Sequence, residues 1–474
     1  MTPYLLLRAD QYSLALRQAT RMLGNRGFDT FGTNELRPSE KARAQTYIRY
    51  AQRYLLDWLL PFVRRQLGQL SILRSRNREI YADCLEAVDS FASVFHEKGF
   101  RDLVDEDPRH LFLLASSRRY PHLFHGYRGR RLRVPPEWQR MACALLKMGH
   151  LVKSIEEDSQ DIHDVAELGL LLQMRGSSLD DLFNFDWHNP EWLPEVEAAQ
   201  RAFVKLATFF HRLRESMTVS PERGCLVFSS GDGVEVDVVE VKARLKSPES
   251  MFTKLGKSVE GEAYDIRDIL AITFVIKSRD DTLTLFHALQ KRGVILQENT
   301  VSNSITQTLF DNPADMLEAV RRLNASLSSS GGTALRPGTQ RLRAEARQFF
   351  KVLSSNTHDN RDSSAEHRKF QCKINFSVPI HREATSKRIL IPGTAVYAAR
   401  DTMPVTTDQQ TLGVELRISD QQSWEAAELR GEAHHDAYRL RQVLALMNRL
   451  FQPRFVFPVG AMPRLRADQN RLFV

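Results

Sequence analysis

Cysteine is scarce in this chain. Four are spread over 474 residues (Cys84, Cys143, Cys225 and Cys372), and none forms a Cys-x-x-Cys pair. That speaks against a disulfide framework or a thiolate zinc module, and for a reducing compartment. Long apolar runs are missing too. The longest, "YLLDWLLPFV" around Trp58, is interrupted by Asp57 and is far too short to span a bilayer. The first residues, "MTPYLLLRADQYSLALRQ", carry no basic leader and no small-residue cleavage site, so no signal peptide is expected. No repeat of fixed period runs through the sequence. A strong charge imbalance is absent as well: 66 Lys and Arg against 58 Asp and Glu leave a net +8, mild for this length. Such a surplus is compatible with nucleotides or RNA as partners and does not require them. Together these absences predict a cytoplasmic protein with no membrane contact. The apolar share is 42%, ordinary for a globular chain, and the length suits roughly two to four domains with buried cores.

What is present changes character part-way along. Residues 1–215 predict an all-helical domain. "SEKARAQTYIRYAQRYLLDWLLPFVRRQL" spaces Tyr47, Tyr50, Tyr54, Trp58 and Phe62 at steps of three and four, most simply as helical core, with a start expected at Ser39. Pro136 and Pro194 stand where helices begin. From residue 216 to 474 the pattern predicts a mixed sheet flanked by helices, so the fold class is α+β. "CLVFSSGDGVEVDVVEVKARL" reads as a hairpin around Gly-Asp-Gly. "ILAITFVI", "VILQEN", "KFQCKINFSVPI", "TAVYAA" and "TLGVELRIS" read as strands. Helices are expected over "TLTLFHALQKRG", from Pro313 to about Leu323, over "LRAEARQFFKVL", and over "SWEAAELRGEAHHDAYRLRQVLALMNRLF". A mobile insertion is expected at about 325–368, where "SLSSSGGTALRPGTQ" is rich in serine and glycine.

One stretch, "RLKSPESMFTK" (244–254), concentrates chemistry. Arg244 and Lys246 are two apart at the end of a strand and share a face. Ser247 then reads as an N-cap with Pro248 at the first helical position. Ser250 and Lys254 follow one turn apart on one helix face. Two strand cations therefore meet a helix start that adds a hydroxyl and an ammonium. Helix N-termini attract anions by roughly 0.3–1 kcal/mol when exposed, and three cations around one suit a polyphosphate. An ordinary capped helix with solvated charges is the plainer alternative. Asp268 stands just before "ILAITFVI", and Glu415 lies in "GVELRI". Were those strands neighbours, the two acids would suit a shared Mg²⁺ that bridges phosphates.

These elements resemble the RelA/SpoT-like nucleotidyltransferase domain over roughly residues 235–445. That family carries Arg-x-Lys-x3-Ser-x3-Lys, an Asp opening an apolar strand, a Glu-bearing strand, and a helix with "Ala-Glu" and a later His. Here those positions are Arg244, Lys246, Ser250 and Lys254, then Asp268, Glu415, Glu428 and His434. The resemblance implies transfer of pyrophosphate from ATP to a nucleotide 3′-hydroxyl, usually making guanosine tetra- or pentaphosphate, with tRNA or other RNA as a further acceptor. It implies that Arg244 packs on adenine and that Lys246, Ser250 and Lys254 hold the ATP phosphates. Asp268 would bind Mg²⁺, Glu415 would bind metal or take the hydroxyl proton, and His434 would lie on the acceptor side.

The chain departs from the family at three points. Thr273 stands where an Arg is usual. Arg417 and Ser419 replace the Gln and Arg after the Glu. The acceptor strand "Gly-Tyr-x-Ser-x-His" is missing, and Phe370, flanked by Arg368 and Lys369, is its nearest substitute as a base platform. The alternative is therefore a catalytically inactive nucleotide- or RNA-binding regulator on the same fold. A helical partner-binding protein with an accidental match is a third. Two further features have plain readings beside functional ones. His163-Asp164 echoes the metal pair of the family's hydrolase domain, without its other ligands, and a surface pair is the simpler reading. "RRYPHLFHGYRGRRLRVPPEW" interleaves arginine with aromatics, as RNA-binding loops do, or is a basic loop between helices.

Overall fold

The computed structural model describes residues 36–73, 78–116, 134–187, 192–257, 266, 268–329, 339–354, 368–386, 388–394, 404–429, 438–443 and 445–446. By its contacts the chain divides into two compact units. The first comprises Met1–Ser159, Pro248–Asp265 and Arg430–Val474, and the second Gln160–Ser247 and Ile266–Leu429. The architecture is mixed α/β, with a helical N-terminal region and a seven-stranded mixed sheet in the C-terminal half, in agreement with the residue patterns. The change of texture near residue 215 is the passage from a helix ending at Arg214 to a strand starting at Met217. No helix among the described residues is long and apolar enough to cross a membrane.

The first unit is helical: α1 (Pro38–Arg53), α2 (Leu60–Leu73), α3 (Arg78–Ser93), α4 (Lys98–Glu106), α5 (His110–Ser116), α6 (Pro136–Asp158) and, later in the chain, α10 (Pro248–Gly256). The start of α1 lies one residue before the expected Ser39. Pro38 fills the first turn without needing a donor, and the Arg37 amide donates to Glu40 at 2.9 Å. Between α1 and α2 the helix widens into a π segment, Tyr54–Leu59, in which the Leu60 amide donates five residues back to Leu55. Pro61 explains this. It lacks an amide hydrogen, and its ring would strike the carbonyl four residues earlier in a regular helix. The aromatic stripe is core as expected at Tyr47, Tyr54 and Phe62, while Tyr50 is exposed.

The second unit opens with α7 (Gln160–Arg175), α8 (Leu179–Phe183) and α9 (Glu197–Arg214). Strands β1 (Met217–Ser220), β2 (Cys225–Ser229), β3 (Glu235–Leu245) and β4 (Leu270–Ile276) follow. Next come α11 (Thr282–Lys291), β5 (Thr306–Gln307), α12 (Leu317–Ser329) and α13 (Thr339–Ser354), then β6 (Phe370–Glu383), β7 (Val405–Asp420) and α14 (Gln421–Leu429). The strand order is β1-β2-β3-β4-β7-β6-β5. β4 and β7 run parallel, and the other neighbours are antiparallel. Strand periodicity sorts the side chains onto two faces. Ile272, Phe274, Leu416, Ile418, Phe370, Ile374 and Phe376 form a buried apolar face. Helices cover it: Phe209 of α9 meets Phe376 with ring centres 5.0 Å apart, and Phe286 of α11 meets Phe370 at 5.0 Å.

One expected strand is replaced. "VILQEN" runs in turns, because the Val294 and Ile295 amides both return to the Leu289 carbonyl and close the end of α11. The Asn299 side chain then takes the Leu296 amide and donates to the Val294 carbonyl. Within the expected insertion α13 is a sixteen-residue helix, joined to β5 where Gln307 Nε2 donates to Ser354 Oγ at 2.6 Å. Residues 330–338 and 355–367, the strand "TAVYAA" beyond Thr394, and most of the helix expected after 429 lie outside the described residues.

Gly393 is held where only glycine fits. Its φ is +78°, and a Cβ there would stand 1.8 Å from the Trp187 carbonyl oxygen. Gly393→Ala is expected to destabilise the second unit by about 2–3 kcal/mol, from backbone strain and overlap together. A thermal melt within about 1 °C of the unchanged protein would contradict this, since 1 kcal/mol moves a chain of this size by more than that.

Candidate functional site

The face of the sheet opposite the apolar core is polar, and strand register makes it so. Lys242 and Arg244 of β3 lie beside Thr273 and Ala271 of β4, which lie beside Arg417 and Glu415 of β7, which lie beside Gln371 and Lys373 of β6. One row thus reads Arg244–Ala271–Glu415–Lys373, and the next Lys242–Thr273–Arg417–Gln371. The Lys246 amide donates to the Ile269 carbonyl at 2.8 Å, which carries the β3–β4 pairing one step further. Lys246 then forms an ion pair with Asp268, both side chains largely buried. Arg417 Nε donates to Glu415 Oε1 at 2.5 Å, and Glu415 is 4% exposed.

The electrostatics tie these groups together. Burial works against a charge on Glu415, but Arg417 and Lys369 outweigh it and the nearby Asp268, and hold the carboxyl down to about 2. Lys369 moves the other way. Burial, with Arg417, Lys373 and Arg244 as cationic neighbours, pushes its ammonium down to about 7 against the pull of Glu415. Five cations (Arg244, Lys246, Lys369, Lys373 and Arg417) therefore share one region with two carboxylates, Asp268 and Glu415. Such a surplus in a partly buried place favours a polyanion. An oxygen-ligand pair of carboxylates suits a hard divalent cation, and Mg²⁺ in particular takes one or two protein carboxylates and completes its shell with phosphate and water.

The register answers the sequence expectations residue by residue. Arg244, Lys246, Asp268 and Glu415 all belong to the second unit and converge there, since the two acid-bearing strands are direct neighbours. Ser250 and Lys254 lie on α10 in the first unit, where Thr253 of the same helix bonds the Tyr54 hydroxyl at 2.8 Å. Phe370 corrects an expectation. It is 1% exposed, lies on the apolar face, and packs on Phe286, so it is core and not a platform for a base. The alternation of β6 makes this unavoidable: if Lys369, Gln371 and Lys373 face the charged side, Phe370 and Cys372 face the core. His434 and the arginine-aromatic segment 118–133 lie outside the described residues.

Glu428 on α14 lies 3.6 Å from Lys242, whose ammonium also sits 5.1 Å from the Trp424 ring centre. Asp420 caps this helix, accepting from the Ser423 amide at 3.0 Å and its hydroxyl at 2.7 Å. His163-Asp164 is also corrected from a surface pair. His163 is exposed, but Asp164 is buried and takes two hydrogen bonds from Arg201 at 2.7 Å each. Lys373 and Arg417 are additions to the expected site residues, and Lys369, which beside Arg368 would suit a phosphorylated acceptor or be a solvated flanking charge, joins them. Their signal was there in the strand alternation: Lys369 and Lys373 fall out of phase with Phe370, and Arg417 falls two after Glu415, once the strands are aligned.

No family model, no curated protein and no solved structure matches this chain.

Lys369 gives the cluster a dependence on pH. Its folded value lies below its ordinary 10.5, so the charged form is the one the fold disfavours. Below about pH 7 it is a cation available to anions, and above it the charge is lost. Affinity for inorganic tripolyphosphate is therefore expected to fall severalfold between pH 6 and pH 8.5, about what one close charge contributes at a partly wetted site. Lys369→Met should bind weakly at both values and flatten the profile. An unchanged slope in that variant would assign the titration elsewhere.

Proposed function

We propose that the second unit binds ATP on the polar face of its sheet and transfers pyrophosphate to the 3′-hydroxyl of a nucleotide or RNA. This is the activity implied by the RelA/SpoT-like resemblance. The observation that carries it is the register across β3, β4 and β7, which sets Arg244, Lys246, Asp268 and Glu415 in one charged region although 171 positions separate the first from the last.

In this reading Lys246 holds the phosphate chain with Arg244 toward the adenine, and Lys373 of β6 and Lys369 just before it face the phosphates. Phosphoryl-type transfer asks the protein mainly to position two oxygens and neutralise phosphate charge, which a cationic cleft with few acids supplies. Asp268 and Glu415 are the residues that would hold Mg²⁺, which would supply further charge neutralisation when bound. The chemistry of the two acids fits that group: Glu415 stays ionised far below neutrality, and Asp268 works against its charge, a repulsion that a dication relieves. Arg417 and Lys369 hold the Glu415 carboxyl below the usual range against its burial, so of the two roles implied for it the charge surroundings favour metal ligand over proton acceptor.

The regulator reading is favoured by two observations: Phe370 belongs to the core, and Thr273 brings no charge to its row. One experiment separates the two. Purified protein is incubated with γ-labelled ATP and Mg²⁺, and separately with GDP, GTP, ATP or tRNA. Label on an acceptor, lost in Asp268→Ala, supports the enzyme. ATP uptake without transfer supports the regulator. No ATP uptake with the metal present would sink both.

A further inference from the structure

We infer that Arg417 is an exchangeable phosphate clamp, which leaves Glu415 for the polyphosphate tail of a nucleotide once a divalent cation takes that carboxylate. The inference rests on the proposed ATP site and names a residue to which that reading gave no role.

Three observations carry it. First, each carboxylate of the site is paired with a cation: Lys246 with Asp268, and Arg417 with Glu415. A metal that binds either acid competes with the cation already there. Second, Arg417 lies on β7 directly beside Thr273 of β4, in the row Lys242–Thr273–Arg417–Gln371. Thr273 and Gln371 are uncharged, and Lys242 is engaged with Glu428 and the Trp424 ring. Arg417 is thus the guanidinium of that row, next to the carboxylate. Third, its side chain is 23% exposed, against 5% for that of Glu415, so solutes reach the donor more readily than the acceptor. A guanidinium offers a planar fork of donors that matches phosphate oxygens, and charge-assisted pairs of that kind are stronger than neutral ones. Exchange from carboxylate to phosphate keeps its charge satisfied throughout.

The consequence is an opposite response to two ligands. Removing Arg417 frees Glu415 for a metal and at the same time deprives the nucleotide of a contact. The test titrates the full-length protein with Mn²⁺ alone, followed by electron paramagnetic resonance, and with ATP plus Mg²⁺, followed by calorimetry. Arg417→Gln is expected to bind Mn²⁺ at least about threefold more tightly and ATP roughly tenfold or more weakly, the loss typical of one charged hydrogen bond. Thr273→Arg combined with Arg417→Gln returns a guanidinium to the same row from the neighbouring strand, and should recover most of the ATP affinity. A merely structural arginine would weaken both ligands together.

ATP affinity unchanged in Arg417→Gln, with the unchanged protein binding normally, would overturn the clamp and leave the ATP site standing. Weaker binding of both Mn²⁺ and ATP would overturn it as well. If the unchanged protein takes up no ATP, the parent reading and the clamp fail together.

Discussion

Truncating Asp164 to alanine is expected to cost the second unit about 3–5 kcal/mol. Asp164 of α7 is 1% exposed and accepts from Arg201 Nε and Nη2 of α9, each at 2.7 Å, so the pair is bidentate and dry. Alanine would leave a guanidinium 8% exposed with its main counter-charge gone. The remaining bond, from Arg201 Nη1 to Glu197 at 2.6 Å, reaches a carboxylate that is itself exposed. Glu197 also accepts from Arg382 of β6, which with Arg201 keeps its carboxyl below the usual range. Water competes there, so Glu197→Ala should cost less than about 1 kcal/mol. The contrast between the two acids is the informative part. Asp164→Ala combined with Arg201→Met, which removes both charges and keeps bulk, should regain most of the loss. Urea unfolding of the three variants measures all of this. Equal costs for Asp164→Ala and Glu197→Ala would mean that the α7–α9 pair is not desolvated.

How much of this was legible beforehand differs by level. The hairpin at Gly-Asp-Gly, the strand "ILAITFVI" and the strand "TLGVELRIS" were readable because period-two patterns and turn residues are local. The pairing of β4 with β7 was not readable from either strand, since 134 residues lie between Ile276 and Thr411. It entered as a condition, that the strands be neighbours, and the register meets it. Phe370 defeats a local reading for a related reason: an aromatic beside two cations looks like a platform until the pleat decides which of the three faces the core. Lys369 shows the converse. In sequence it is a loop-flanking charge, and its low value arises first from burial and then from cationic neighbours, of which Arg417 and Arg244 lie far from it in sequence. "VILQEN" read as a strand by composition, but the end of α11 and the Asn299 side chain claim its backbone groups first. His163-Asp164 resembled a metal pair because nothing local reveals Arg201, 37 residues away.

If the proposed transfer takes place, Glu415→Gln is expected to lower it by about 10³-fold or more while leaving ATP binding without metal unchanged or tighter. The change is nearly isosteric and removes one negative charge from a region that holds five cations and one other acid. An anionic tail should find that region no less attractive, because repulsion has been removed. A metal held by Asp268 and Glu415, as proposed, would lose one of those two ligands, and the neutralisation it would supply during transfer would go with it, an effect of the size seen when one pre-organised charge contact is deleted. Loss of turnover with retained binding separates this from misfolding, which would lower both. The acid limb of stability offers an independent check. Glu415 has a folded value of about 2 against an ordinary 4.5, so its ionisation stabilises the fold above about 4.5 and that contribution is lost as pH falls toward 2. The stability gap between the unchanged protein and Glu415→Gln should therefore be fully open at neutral pH and close on acidification. A gap that is constant over that window would mean that Arg417 and Lys369 do not hold the carboxylate as the geometry indicates. Transfer surviving within tenfold in Glu415→Gln would remove the acid from the reaction altogether.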